Sequence, residues 1–520
     1  MASRFGKISG VTAGGVAVAT CLLLMCLAPL AAVFLRADGA GFSPSDDASI
    51  RFTLLQAAVS ALISVLLAVP VARALTRRQF VGRSLLISLL GAPFLVPVIV
   101  AVLGLLQVFG RAGVLNSGLT SLGLPSISIY GFHGVVLAHV FFNLPLAVRM
   151  ILQGWQAIPA ERFRLAASLG FAPADILRHL ERPMLREVLP GAALVIFTLC
   201  LSSFAVALTL GGGPRATTVE LAIFQALRFD FDLGRAAMLS AIQFALCAVA
   251  VLFSMRLAQP AGFGAGLGRN AMPWWGLPPW LAVQDCLVIT LAVVFLILPL
   301  ALLVPRGLTG LADVPMTVWP AMARSLGIAA LVTLMTLLAA LLLANAIVRG
   351  RFAGMMELAG MLPLAASSLV LGTGLFLIVR PWTLPEQVAL PVTALVNATL
   401  ALPFALRILL PALRLVETDF GRLATSLGLT GFARWRWLIL PRLRAPLGFT
   451  AGLVAALSIG DLGVVALFAG DRGVTLPLLV QRLMGAYQMD AAAAVALILL
   501  GLSFGVFCLL DWEGRRNADG

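Results

Sequence analysis

Apolar residues run along this chain in long blocks bounded by Arg, Pro or Gly, and most blocks approach the roughly 20 residues a helix needs to cross a bilayer. As continuous apolar segments they predict twelve helices near residues 11–35, 52–73, 84–109, 131–153, 189–210, 236–255, 280–304, 321–348, 354–379, 388–410, 446–468 and 491–511. The first follows only Arg4 and Lys7 and has the look of a secretory leader. Its apolar stretch from Val16 to Leu35 is too long for a leader's core and reads as a retained span. The expected fold class is an all-α polytopic membrane protein.

The order of blocks repeats. LPLAVR (Leu144 to Arg149), RLAASLG (Arg164 to Gly170) and Pro183 return 258 residues later as LPFALR (Leu402 to Arg407), RLATSLG (Arg422 to Gly428) and Pro441. Upstream, Pro93 and Gly104 return as Pro363 and Gly374 at an offset of 270. Two homologous halves are therefore expected, at 49–258 and 321–511. Residues 1–48 hold the N-terminal end, the first helix and an external loop, and 259–320 hold a Gly/Pro-rich cytosolic linker, the seventh helix and a second external loop. A cytosolic tail covers 512–520. The repeated loops lie six spans apart, so the halves run in the same direction, as parallel repeats.

Composition narrows the class further. Hydrophobic residues make up 61% and charged residues 11% of the 520, against about 25% charged in soluble domains, which excludes a water-soluble enzyme. With the N-terminus inside, alternate segments collect 25 of the 36 Lys and Arg residues, and the excess of basic residues on inner loops makes both termini cytoplasmic. The arginines are spread among spans, unlike the clustered basic domain of a nucleic-acid binder. The sole lysine, Lys7, is followed by Ile8, whereas a P-loop needs Lys followed by Ser or Thr, so this chain has no such nucleotide site. Six cysteines without C-x-x-C spacing and three scattered histidines (His133, His139, His179) assemble neither a metal cluster nor a catalytic triad.

The two most basic loops, 154–188 and 411–445, carry the repeat. Residues 160–168 and 418–426 place apolar positions at helical spacing beside Glu161 and Asp419, and each stretch is expected to form a short amphipathic helix. Gly170 and Gly428 permit a tight turn at positive φ, and Pro183 and Pro441, thirteen residues on, suit the first turn of the next helix. Taken singly, the arginines also fit simple basic anchors obeying the charge rule.

A small-residue helix, a Gly, and a Pro thirteen positions later resemble the "EAA" loop of type I ATP-binding-cassette (ABC) importer permeases. In that family the loop couples to a separate ATPase. The likeness covers roughly 50–255 and 321–510. It departs where the family's Glu is Arg164 and Arg422 and its first Ala is Leu165 and Leu423, while the second Ala stands as Ala166 and Ala424. Longer strings, Leu210 to Leu239, Ala138 to Arg149 and Ser458 to Phe468, are similar to the fused two-half permeases of bacterial thiamine ABC importers; ferric-iron permeases share the fused plan. The resemblance implies the type I permease fold in the inner membrane, a cytosolic ABC ATPase in two copies, a periplasmic substrate-binding protein, and import of thiamine and its phosphates. ATP and Mg are then used by the partner, and no cofactor is bound by this chain. An ATP-independent carrier is the alternative outside this class.

Candidate pathway residues follow from charge within apolar blocks. Asp461 and Asp285 are intramembrane carboxylates, by default functional and suited to a cationic thiazolium; Asp461, between Gly460 and Gly463, equally suits a cap or kink of a broken helix. Arg215, Glu220, Asp230 and Asp232 fall on the outer side, at the entrance, against the binding protein, or in a solvated loop.

Overall fold

The computed structural model describes residues 10–37, 41–90, 95–211, 213, 216–257, 279–350, 352–471 and 473–516, and among these there is no strand. Among the described residues eleven helices are long and apolar enough to cross a membrane, and a bent pair, Ala353–Ala365 with Ser368–Val379 at 92°, makes a twelfth when counted as one span. The expected number of spans is therefore met. Helix Pro279–Thr309 shows why a bilayer is required: its span has a mean hydropathy of 3.1, yet only 17% of that window is buried by protein. The remaining leucines and valines, among them Val283, Leu287 and Leu291, face outward, where lipid is the solvent that accepts them.

Several expected spans are interrupted, each for a local reason. The block expected at 84–109 is two helices, Arg83–Leu89 and Val98–Phe109, the second starting just after Pro97. The block at 189–210 divides into Arg182–Leu201 and Phe204–Leu210, and the block at 446–468 divides at Asp461 into Leu440–Gly460 and Gly463–Phe468. These last two breaks, at 202–203 and 461–462, fall within one residue of the 258-residue repeat, which so extends to the point at which a span is broken. Short helices Val219–Arg228 and Leu476–Gly485 were not resolved by the apolar pattern. Their first amides donate to hydroxyls on distant helices, Val219 N–H to Thr53 Oγ1 and Leu476 N–H to Ser325 Oγ, both at 2.9 Å. These are helix N-terminal donors that would otherwise be orphaned.

The chain forms two compact units. The first-copy unit holds Phe42–Ala222 and Ala245–Ala312; its core packs Pro44–Arg77 against Phe132–Ala157 and Arg182–Leu201, with Ala68, Leu75, Ala147 and Ile151 fully buried. Gln56, Ser60, His139 and Asn143 line one buried seam, where Gln56 Nε2 donates to the Cys200 carbonyl at 2.9 Å. Such polar contacts hold helices together where the hydrophobic effect cannot. The second-copy unit holds Met1–Gly41, Ile223–Phe244 and Asp313–Gly520, with Val332, Leu343, Leu402 and Leu409 in its core.

One close approach recurs in both units. A side chain at Gly104 would collide with the Pro299 carbonyl, and one at Gly374 with the Pro29 carbonyl. Pro29 and Pro299 stand 270 residues apart, as Gly104 and Gly374 do. Helices Gly10–Ala37 and Pro279–Thr309 are thus equivalent, and each packs in the unit built on the other copy of the repeat. The Gly/Pro-rich linker 259–278 lies outside the described residues.

Candidate functional site

The two repeated loops share one turn, atom for atom. In the first, Gly170 has φ +66°, its N–H donates to Ala167 O, and Phe171 N–H reaches back to Ala166 O. In the second, Gly428 has φ +66°, its N–H donates to Thr425 O, and Leu429 N–H reaches Ala424 O. This paired 6→1 and 5→2 closure is the Schellman cap, which requires a left-handed residue at its centre. Nothing lies within 4 Å of a side chain built at either glycine, so the backbone angle alone selects glycine here.

Below each turn, Ala166 and Ala424 are buried at 3% and 2% exposure. Leu165, Leu169, Leu423 and Leu427 are all more than half exposed. Leucines turned outward on a loop flanked by arginines form an apolar surface without a cover in the chain itself. Arg164 pairs with Glu161 at 3.0 Å with both side chains largely exposed, and Arg422 is exposed. Beyond the turns both copies pass through a π-turn, Leu177–Glu181 and Trp435–Ile439, closed by Arg182 N–H to Leu177 O and Leu440 N–H to Trp435 O. Pro183 and Pro441 follow at once, in the first turn of the next helix. A proline lacks the amide and crowds the carbonyl four residues back, and the widened turn before it accommodates both.

The loops differ in how they are attached. The first amphipathic helix, Ala160–Ser168, is separate as expected. The second is not: Ala389–Ser426 is one helix of 38 residues that runs through it. The cause is one position. Pro159 holds Ile158 extended (ψ 121°) and ends Phe132–Ala157, whereas Glu417, 258 residues on, continues the helix. Glu417 also accepts from Arg349 at 2.6 Å and from Arg434, joining three helical segments. Arg414 pairs with Glu357 at 2.9 Å, and Arg442 stacks 4.3 Å from the Phe420 ring. In the first loop, Arg73 pairs with the wholly buried Glu181 at 2.9 Å. None of Glu181, Glu417, Arg73, Arg349 or Arg434 stood out in the sequence; acidic residues inside Arg-rich loops were the available signal.

The intramembrane carboxylates separate. Asp461 lies at the helix break of the second-copy unit, its Oδ1 3.4 Å from Gly463 N–H, with Asn397 within reach of the carboxylate. At the equivalent positions the first copy has Ser203 and His139. Asp285 belongs to the first-copy unit and is buried as the acceptor of Arg78 at 2.8 Å, with Arg77 at 3.9 Å. Of the outer-side candidates, Arg215 lies outside the described residues. Glu220 is buried at 1% exposure in Val219–Arg228. Asp232 Oδ1 caps the next helix by accepting Arg235 N–H at 3.0 Å, and Asp230 pairs with the Arg235 guanidinium at 3.4 Å. Among the described residues no group of three or more His, Cys, Asp or Glu is placed to hold a metal.

No family model matches the chain. It is similar to the thiamine transport system permease protein ThiP of Salmonella typhimurium, 41% identical over 532 residues and 98% of both chains. Similarity to the ThiP proteins of Escherichia coli and Brucella abortus is 40% over 481 residues (90% of this chain, 89% of that one) and 39% over 515 residues (96% and 93%). The molybdenum transport system permease protein ModB of Mycobacterium bovis is 30% identical over 230 residues, 43% of this chain and 86% of its own length. With 39–41% identity sustained over nine-tenths or more of its length, the chain belongs to the family of thiamine transport system permease proteins.

Proposed function

We propose that this chain is the transmembrane permease subunit of an ATP-driven ABC importer that moves thiamine and its phosphates across the bacterial inner membrane, with both termini cytoplasmic. The paired loops carry this reading: two identical turns present exposed leucines among arginines, as a docking surface for a second protein would. A cytosolic ABC ATPase, one copy at each loop, covers these leucines and supplies the ATP and Mg chemistry that a chain without a P-loop lacks. A periplasmic binding protein delivers the substrate. Movement of each ATPase copy acts on its loop and through it on the helices of that unit, a two-state element biased from both ends.

Asp461 is the carboxylate proposed to face the cationic substrate. It sits in a break between two helices, where irregular backbone lines a path through a membrane protein, and a carboxylate there compensates a thiazolium charge. Asp285 is already committed to Arg78 and Arg77. The test is uptake by the reconstituted complex, with thiamine and ferric iron compared side by side. ATP-dependent accumulation of thiamine is expected; accumulation of iron alone, or uptake by the purified chain following an ion gradient without ATP, overturns the reading.

A further inference from the structure

The two loops share their turn but not their attachment, and the difference lies in a few residues whose roles the repeat would have made equal. The second loop is the end of a 38-residue helix, about 57 Å long at 1.5 Å per residue, well beyond a hydrocarbon core of about 30 Å. Its projecting end is held on three sides: Glu417 bridges Arg349 and Arg434, Arg414 meets Glu357, and Phe420 lies under Arg442. Gly421 leaves the room this needs, since a side chain there would stand 3.2 Å from Glu417 Oε2 and 3.4 Å from Arg434. The first copy has Pro159, Phe163, Arg162 and Met184 at the positions of Glu417, Gly421, Phe420 and Arg442. It can make neither the charge bridge nor the stack.

We infer that Glu417 is a positioning residue that locks the second loop to the membrane helices, so that the second loop acts as a rigid lever and the first as a segment hinged at Ile158–Pro159. This rests on the proposed coupling of both loops to an ATPase, and it adds that the two couplings are unequal. A displacement at Leu423, or at Leu427 just beyond the helix end, passes into Ala389–Ser426, which keeps helical geometry through Pro403 and Pro411. A displacement at Leu165 or Leu169 is partly absorbed at residues 158–159, where the backbone leaves helical geometry.

The test uses the full complex in vesicles and reads thiamine moved per ATP hydrolysed, with retention of the ATPase subunit measured alongside. Glu417→Gln keeps the shape and removes the charge. It is expected to retain the ATPase subunit and to lower the transport ratio about tenfold, the scale of one charge-assisted hydrogen bond. Glu417→Asp, which keeps the charge, is expected to recover most of the ratio, a rescue that a filler of space would not show. Arg434→Lys provides a second variant should Glu417→Gln fail to accumulate, with a smaller loss expected. An unchanged ratio in Glu417→Gln, or no rescue by Asp, overturns the inference. Gly428→Val keeps the two readings apart. If it uncouples while Glu417→Gln does not, only the lever is wrong; if Gly428→Val also leaves uptake unchanged, the coupling reading itself falls.

Discussion

The first and second repeated loops end in the same turn, with Gly170 and Gly428 both at φ +66° and the same two backbone closures. They are joined to the membrane helices by different chemistry: a proline break beside the buried Arg73–Glu181 ion pair, against a helix that runs on through the loop with a carboxylate shared by two arginines. The comparison teaches that the constant element is the surface each loop presents, and the free element is the linkage behind it. On the proposed function, a turn that docks on an ATPase must match it in both places. The linkage needs only to transmit force, and a repeat can satisfy that need in two ways.

Removing the shared element should have the largest effect. Gly170→Val and Gly428→Val each force a β-branched residue into left-handed backbone, so uptake and ATPase stimulation should be abolished while the chain stays in the membrane, as read by vesicle transport and membrane fractionation. The single Gly→Ala changes should be milder, costing about 1 kcal/mol of turn stability, because there is open space for a methyl group.

Sharpening the contrast comes next. Glu417→Pro should give the second loop the break of the first and lower transport more than Pro159→Ala changes it, as read by initial uptake rates in vesicles. A smaller effect is expected at Asp461→Asn. The carboxylate lies at a helix break with no arginine ion pair among the described residues, unlike Asp285, so thiamine affinity should fall roughly tenfold or more while the complex assembles normally, as read by the concentration dependence of uptake. Ser325→Ala should cost about 1 kcal/mol of thermal stability by removing the acceptor for the Leu476 amide, with transport retained. At the bottom of the range, Arg164→Gln should stay within about 0.5 kcal/mol of the parent, because its pair with Glu161 is exposed and such pairs contribute little.

What was legible in the sequence follows the same division. Glycine and proline act locally, so the turns at Gly170 and Gly428 and the helix starts at Pro183 and Pro441 were readable from their spacing alone. Gly460 and Gly463 likewise marked the break at Asp461. The continuity of Ala389–Ser426 is hidden in the repeat, because it turns on a position where the copies differ, Glu417 against Pro159. Partner choice between helices was also hidden. Apolar faces are interchangeable in a bilayer, so nothing local says that Gly10–Ala37 packs with the second copy; only the matched pairs Gly104 with Pro299 and Gly374 with Pro29 carry that information. The ion pairs at Glu181 and Glu417 join residues more than fifteen positions apart, and charge counts by loop do not resolve such partners.

The central claim, that both repeated loops dock on an ATPase, is tested most directly by placing a photo-crosslinking residue at Leu165 or at Leu423 in the vesicle-embedded complex. The account predicts an adduct with the ATPase subunit from each position. Thiamine uptake that is driven by ATP while neither position yields an adduct would contradict it.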